Sequence, residues 1–330
     1  MLSAPHALCT YRMQVHHIDQ ETADVWTLFL SCNEGYEYEP GQFALVSINN
    51  SETLRAYTIS STPGISPYIA LTVRRLPDGL GSRWLTGQVK AGDDIWLSQA
   101  QGDFTCAHHK DKRYLFMAAG CGVTPIISMC RWLEANRPQT NVQVIYSVRS
   151  PDDIIFNEEW RDLQRWLKLT IFAEQGAEGD ILSGRVTQEK LAELVPDLDQ
   201  RRVMVCGPVP YMDQVAADTT ALGATQYEQE QFHVPALATP STGEKLLNVT
   251  VAHLAQEFHV PAGVTLLEAL KGNNVPVMAI CNAGFCGSCK TRVIQGKHSV
   301  SSTTTLSADE IEQGYVLACA CRLEGDIVIA

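Results

Sequence analysis

The first third of the chain is a series of short apolar or alternating segments broken by turn signals. VWTLFL, FALVSI, AYTIS, YIALTV and DIWLS are punctuated by PG, NN, TPG and DG. β-Branched and aromatic residues suit a pleated, half-buried surface, and Gly, Pro and Asn supply the turn conformations. Short strands at this spacing predict a closed antiparallel barrel or sandwich over residues 1–108. The rhythm then changes. YLFMAA, VQVIYSV, LTIFAE and RRVMVC have the character of buried strands, and ISMCRWLEAN, EEWRDLQRWL, TQEKLAELV and YMDQVAADTTAL that of helices. Their alternation predicts βαβ units on a parallel sheet over 109–233. HVPALATPSTGE is rich in prolines and small residues, which predicts a linker at 234–244. Residues 245–330 hold LLNVTV, FHVPAG, a helix-like TLLEALKGN, TRVIQG and DIVIA, the makings of a small α+β domain.

Length agrees with this division. A chain of 330 residues exceeds one ordinary core, and 45% hydrophobic with 19% charged residues suits several globular ones. A formal net charge of -12 argues against a phosphate-backbone binder, which needs a basic face. The N-terminus lacks a basic start followed by an apolar stretch, and no apolar run is long enough for a bilayer. The expected location is the cytoplasm.

Eleven cysteines are unevenly spread, and five fall between Cys281 and Cys321. Cys281-x4-Cys286-x2-Cys289, then twenty-nine residues, then Cys319 is the spacing of a plant-type [2Fe–2S] site. A tight loop supplies three thiolates and another element brings the fourth. Gly284 and Gly287 within NAGFCGSCK let the backbone curve around a cluster and aim amides at its sulfurs. A zinc site is the plainer alternative, but zinc usually takes paired CxxC motifs, and only one is present. Cys321 is a candidate substitute ligand; the gap favours Cys319 and leaves Cys321 as a packing residue. ICNAGFCGSCK and LSADEIEQGYVLAC resemble the ferredoxin family over 265–321, which implies a β-grasp fold here.

Pro40-Gly41-Gln42 followed by Arg55-Ala56-Tyr57-Thr58 resembles the flavin domain of the ferredoxin–NADP reductase superfamily. The resemblance implies an antiparallel β-barrel with Arg55 on the FAD pyrophosphate, Tyr57 stacked on the isoalloxazine and Thr58 near flavin N5. A guanidinium suits phosphate, an aromatic face suits a planar ring, and a hydroxyl both donates and accepts. Thr72, Val73 and Arg74 in LTVRR, with Gly79-Leu80-Gly81-Ser82, resemble the second flavin motif. It implies further FAD contacts from Thr72, Val73, Arg74, Gly79, Gly81 and Ser82, and a helix beginning near Ser82 would add its positive end.

Gly120-Cys121-Gly122-Val123-Thr124-Pro125 follows a predicted strand and opens a predicted helix, the placement a phosphate loop needs. Proline at the sixth position departs from the ordinary dinucleotide fingerprint but is similar to the superfamily's GxGxTP, which implies nicotinamide-dinucleotide contacts at Gly120, Gly122, Thr124 and Pro125. Cys206-Gly207-Pro208 after RRVMV resembles the superfamily's CGP turn, implying that Cys206 lies beside nicotinamide C4 and flavin N5. Alone, Cys206 would be an ordinary buried cysteine, as Cys121 and Cys130 are expected to be. Tyr146 and Arg149 fall where the superfamily meets the dinucleotide. Asp152 and Asp153 would accept a free ribose hydroxyl and repel a 2′-phosphate, which favours NADH. Glu230-Gln231-Phe232 closes this domain, at an end that lies near the flavin in relatives.

Three modules in this order imply an NADH-dependent reductase. A nicotinamide yields an electron pair, a cluster accepts one electron at a time, and a flavin bridges the two. Cys206 and Thr58 are expected to shape and polarise the hydride site. From YRMQVHHI through LRAYTISSTPG and MAAGCGVTPIISM to EQGYVLACAC, the chain is similar to reductases that serve the hybrid cluster protein. That resemblance implies this partner as electron acceptor, acting on hydroxylamine or nitric oxide. The alternatives are the reductase component of an oxygenase system and a non-enzymatic redox-sensing or structural metal-binding protein.

Overall fold

A computed structural model describes residues 4–32, 35–51, 53–230, 246–279, 284, 287–303 and 305–330. The chain divides into two compact units, Met1–Phe232 and His233–Ala330. The expected linker and two of the expected cluster ligands, Cys281 and Cys286, lie outside the described residues.

The first unit contains two sheets. The antiparallel one is built from β1 (Tyr11–Thr22), β2 (Val25–Ser31), β3 (Phe43–Ser47), β4 (Leu54–Thr58), β5 (Ile69–Arg74) and β6 (Asp94–Leu97), with helix α1 (Leu80–Gly87) between the last two strands. Its order is β4-β3-β6-β1-β2-β5. A bridge from Ile59 to Leu71 joins the two outer strands, so the sheet closes as a barrel and leaves no open edge. Its interior holds Met13, Val15, Leu28, Leu30, Ala44, Val46, Leu71, Val73 and Ile95.

The second sheet has β7 (Arg113–Ala119), β8 (Asn141–Val148), β9 (Lys168–Ala173), β10 (Leu182–Ser183), β11 (Arg202–Cys206) and β12 (Gln226–Glu230). All its pairings are parallel, and the order is β10-β9-β8-β7-β11-β12. Helices α2 (Val123–Asn136), α3 (Asn157–Leu163), α4 (Gln188–Leu194) and α5 (Val209–Ala221) connect the strands. From β7 the chain winds outward one way to β10 and then returns to β11 on its other side. The carboxyl ends of β7 and β11 therefore flank the topological switch point, where open α/β sheets bind ligands.

The second unit is a mixed sheet of order β14-β13-β17-β15-β16. Its strands are β13 (Leu246–Val251), β14 (Gln256–Pro261), β15 (Lys290–Val300), β16 (Tyr315–Leu317) and β17 (Cys321–Ile329), with helices α6 (Leu266–Gly272) and α7 (Ala308–Glu312). Thr265 with Glu268 and Ser307 with Glu310 form reciprocal capping boxes, which satisfy orphan amides and fix where each short helix starts. α6 buries Leu266, Leu267, Ala269 and Leu270 against the sheet core.

The hydrophobic pattern missed the short strands β10 and β16 and two longer ones. β1 buries only Met13, Val15 and Thr22 along its length, so its His, Gln and Asp residues mask the period. β12 buries only Glu230. The helix expected over EEWRDLQRWL spans only Asn157–Leu163. Trp166 then turns its indole to donate to the Pro138 carbonyl at 2.9 Å.

Candidate functional site

The switch point is held by a backbone contact. β7 ends at Ala119, a single 3-10 turn of Gly120–Gly122 follows, and α2 starts at Val123. Gly120 has φ +53, a left-handed value that favours glycine. A Cβ on Gly122 would lie 2.0 Å from the Cys206 carbonyl oxygen and 2.8 Å from the Gly207 nitrogen. No side chain fits there, so the GxGxTP loop and the CGP turn pack backbone on backbone. Thr124 donates to the Cys121 carbonyl at 3.0 Å, and Pro125 occupies the first turn of α2, where a missing N–H costs nothing. Gly207 packs against Ala119 and Tyr211, and Pro208 precedes α5 as its N-cap.

α2 then ties this loop to the flavin-type motif. Ser128 donates to the Ser61 carbonyl at 2.5 Å, Thr62 to the Ser128 carbonyl at 3.4 Å, and Arg131 to the Ser60 carbonyl at 2.7 Å. Residues 60–62 follow β4 directly, so a single helix positions Thr58 and the phosphate loop together. Thr58 itself is buried, and its hydroxyl has no hydrogen-bond partner among the described residues. A buried hydroxyl is rarely left unpaired, and an acceptor or donor on a bound flavin would satisfy it.

Arg55 and Tyr57 project from β4 toward α1. A Cβ on Gly81 would meet the Tyr57 hydroxyl at 2.7 Å and Arg55 Cγ at 3.0 Å. The glycine thus permits strand and helix to approach closely, with Arg55 and Tyr57 lying against the α1 loop. Ala56, which alternates with them along the strand, pairs with Leu45 of β3. α1 starts at Leu80, two residues before the expected Ser82. Ser82 Oγ accepts from the Leu76 amide at 3.1 Å and donates to the Gly79 carbonyl at 3.2 Å, bracing the turn before the helix.

The second flavin motif divides. Thr72 shares hydrogen bonds with Thr27 and Ser60 at 2.9 and 2.8 Å, and Val73 lies in the barrel core. Arg74 turns toward the other loop, with Nη1 3.2 Å from the Cβ position of Gly120. Arg149 pairs with Asp153 and with Asp24. Burial pushes the Asp153 carboxyl up, but hydrogen bonds from Arg149 and Ser150 outweigh it and hold the group below its ordinary range. Tyr146 corrects the expectation placed on it. It has no exposed surface, and its hydroxyl accepts from the Ile155 amide, so it is a core residue rather than a dinucleotide contact.

The floor of the switch point is uncharged at neutral pH. Cys206 is fully buried, and burial, reinforced by the nearby Glu230, pushes its thiol well above the usual range. Glu230, which pairs with Cys206 across β11 and β12, is pushed up to about 8 by burial. Its Oε2 has no hydrogen-bond partner among the described residues. Its Oε1 lies 3.8 Å from the Cβ position of Gly102, which also abuts the Phe43 ring; Phe43 is the cross-strand partner of Thr58. Glu230 is thus a neighbour of Cys206 and lies across Gly102 from Phe43, the strand partner of Thr58. Sequence motifs single out Cys206 and Thr58; the isolation of Glu230 follows from β12 lying against β11, which no motif encodes.

In the second unit Cys289 and Cys319 are buried with sulfurs 3.2 Å apart, and neither is in a disulfide. Two thiolates on one tetrahedral metal at about 2.3 Å lie roughly 3.8 Å apart, which a small rotation provides. Gly284 donates its amide to Cys319 Sγ at 3.1 Å. Gly284 and Gly287 have φ +81 and +73, the left-handed curvature expected of the loop. Cys321 is a core residue whose thiol burial pushes up to about 12. The described parts of the site fit a thiolate-held cluster.

A raised Glu230 makes stability depend on pH. The folded chain keeps this proton between about pH 4.5 and 8 and the unfolded chain does not, so stability falls by roughly 1.4 kcal/mol per pH unit across that window and levels off above it. Thermal unfolding of the wild type and Glu230→Gln from pH 5 to 9 should show this slope in the wild type and its absence in the variant.

Family models place the chain among known proteins. The 2Fe-2S iron-sulfur cluster binding domain matches residues 249–324, the oxidoreductase NAD-binding domain 116–217 and the oxidoreductase FAD-binding domain 13–106. The chain is 54% identical over its full length, and that of its relative, to NADH oxidoreductase HCR of Escherichia coli (strain K12). It is 27% identical, covering 94% of this chain and 92% of the other, to the glycine betaine monooxygenase reductase subunit of Chromohalobacter salexigens. Phthalate dioxygenase reductase, described as a modular structure for electron transfer from pyridine nucleotides to [2Fe-2S], shares the fold at a TM-score of 0.64 and 23% identity, covering 97% of each chain. Among the described residues no helix is long and apolar enough to cross a membrane. The chain belongs to the family of flavin- and NAD-binding oxidoreductases with a fused [2Fe–2S] domain that includes NADH oxidoreductase HCR.

Proposed function

We propose that this protein is an NADH oxidoreductase that passes electrons from NADH to FAD, to its [2Fe–2S] cluster and on to a hybrid cluster protein in the cytoplasm. The carrying observation is the backbone contact of Gly122 with Cys206, which joins the nicotinamide loop to the CGP turn at the end of a helix bonded to the flavin motif. A flavin held there would supply the exchange between the nicotinamide's electron pair and single electrons, chemistry that belongs to the cofactor. The domains are taken as 1–108 for FAD, 109–233 for NAD and 245–330 for the cluster.

The chain's own residues bind and orient. Arg55, Gly79, Gly81 and Ser82 hold the flavin phosphates, while Tyr57 and Thr58 face its ring system. Gly120, Gly122, Thr124, Pro125, Gly207 and Pro208 form the dinucleotide cleft. Cys206, its thiol pushed well up by burial, and Glu230, neutral below about pH 8, line a floor that excludes water and offers no full charge to trap a developing one. Cys281, Cys286, Cys289 and Cys319 hold the cluster.

The acceptor rests on kinship with the HCR relative, whereas the monooxygenase reductase relative supports an oxygenase as acceptor. Stopped-flow reoxidation of the NADH-reduced protein decides between them. Rapid reoxidation by purified hybrid cluster protein is expected, and rapid reoxidation by an oxygenase component alone would reverse the assignment. The cluster ligands separate by substitution. Cys319→Ser should lose most of its iron and sulfide, while Cys321→Ala should retain them. Equal iron in both variants would return Cys321 to the ligand set.

A further inference from the structure

Two arginines near the flavin motif face different phosphate loops. Arg55 lies along Gly81 of the α1 loop, whereas Arg74 lies along Gly120 of the α2 loop. The Arg74 backbone amide adjoins the sulfur of Cys121 within that second loop. Arg74 therefore leaves its own domain and presents a guanidinium at the positive end of α2, a 14-residue helix. Arg149 approaches the same spot from the end of β8.

A single carboxylate oxygen reaches both cations. Asp24 Oδ2 lies 3.4 Å from Arg74 Nε and 3.3 Å from Arg149 Nη2. Charge-assisted hydrogen bonds are ordinarily about 2.7–2.9 Å, so this clasp is loose. Arg74 Nε is buried and makes no hydrogen bond among the described residues. The other partner of Arg149, Asp153, belongs to its own loop; among the described residues Asp24 is the carboxylate that reaches it from the barrel. The backbone of Asp24 is anchored: its carbonyl accepts from the Arg75 amide at 2.8 Å, and its side chain is part-exposed.

We propose that Asp24 occupies the dinucleotide phosphate subsite when no dinucleotide is bound. Its carboxylate holds Arg74 and Arg149 beside the Gly120 loop, and a phosphate of the incoming nucleotide displaces it. A phosphate offers several charged oxygens and can meet a guanidinium with two parallel bonds, while the part-exposed ion pair it replaces is worth at most about 1 kcal/mol. Arg74 is thus a positioning residue for the dinucleotide rather than a flavin contact, and Asp24 sets how tightly the dinucleotide binds. This rests on the reading that the cleft binds NADH.

Two measurements on the full-length protein loaded with FAD and cluster test it. One is equilibrium binding of ADP-ribose, which carries the pyrophosphate and no nicotinamide. The other is the NADH concentration dependence of anaerobic flavin reduction. Asp24→Asn should lower the Kd for ADP-ribose roughly two- to fivefold. Arg74→Gln should raise it about tenfold or more, with Arg74→Lys recovering part of the loss and FAD content equal to wild type. In Arg74→Gln/Asp24→Asn the Asp24 effect should shrink toward nothing. Weaker ADP-ribose binding in Asp24→Asn, or loss of FAD in place of ADP-ribose affinity in Arg74→Gln, would overturn the inference, while the functional reading stands as long as NADH reduces the wild-type flavin. Wild-type flavin that NADH fails to reduce would instead overturn the functional reading and the inference together.

Discussion

The architecture of the redox site depends on the absence of a side chain at residue 122. With the Cys206 carbonyl 2.0 Å from where a Cβ would be, the phosphate loop and the CGP turn close on one another only because one is glycine. The contact sets where α2 begins. Farther along, α2 bonds to the carbonyls of Ser60 and Ser61, just past Thr58. A steric constraint at one backbone atom is thereby converted, through a rigid helix, into the placement of the flavin motif against the nicotinamide loop.

Charge is distributed according to depth. At the floor, Cys206 and Glu230 are buried, and desolvation keeps both groups protonated at neutral pH. A buried surface without fixed ions would suit electron-pair transfer to a flavin bound there, because no ion has to be reorganised. The ionised groups, Arg74, Arg149, Asp24 and Asp153, gather at the part-exposed rim. There ion pairs are weak and can be exchanged for phosphate. In the second unit the cluster loop uses positive-φ glycines and an amide aimed at Cys319 in place of charged side chains.

Much of this was legible in the sequence because the chemistry sits in local motifs. The barrel, the parallel sheet and the α+β domain follow from periodicity, and the phosphate loop and CGP turn fall at strand ends as expected. What stayed hidden depends on tertiary contacts. β1 and β12 are too polar to show a period, being buried at only a few positions. Tyr146 lies in a motif region but points into the core against Trp160. Thr72 spends its hydroxyl inside the barrel, and Arg74 crosses to the other domain, because a side chain's direction is set by the neighbours it finds. Asp24 belongs to no motif at all; only the approach of two arginines gives it meaning.

An anaerobic NADH titration of the protein loaded with FAD and iron–sulfur cluster, followed by visible absorption and electron paramagnetic resonance, tests the central claim most directly. Flavin absorbance should bleach on the first additions, and the signal of a reduced [2Fe–2S] cluster should follow with no other reductant present. A flavin that dithionite bleaches but NADH does not, or a cluster that stays oxidised beside fully reduced flavin, would contradict it.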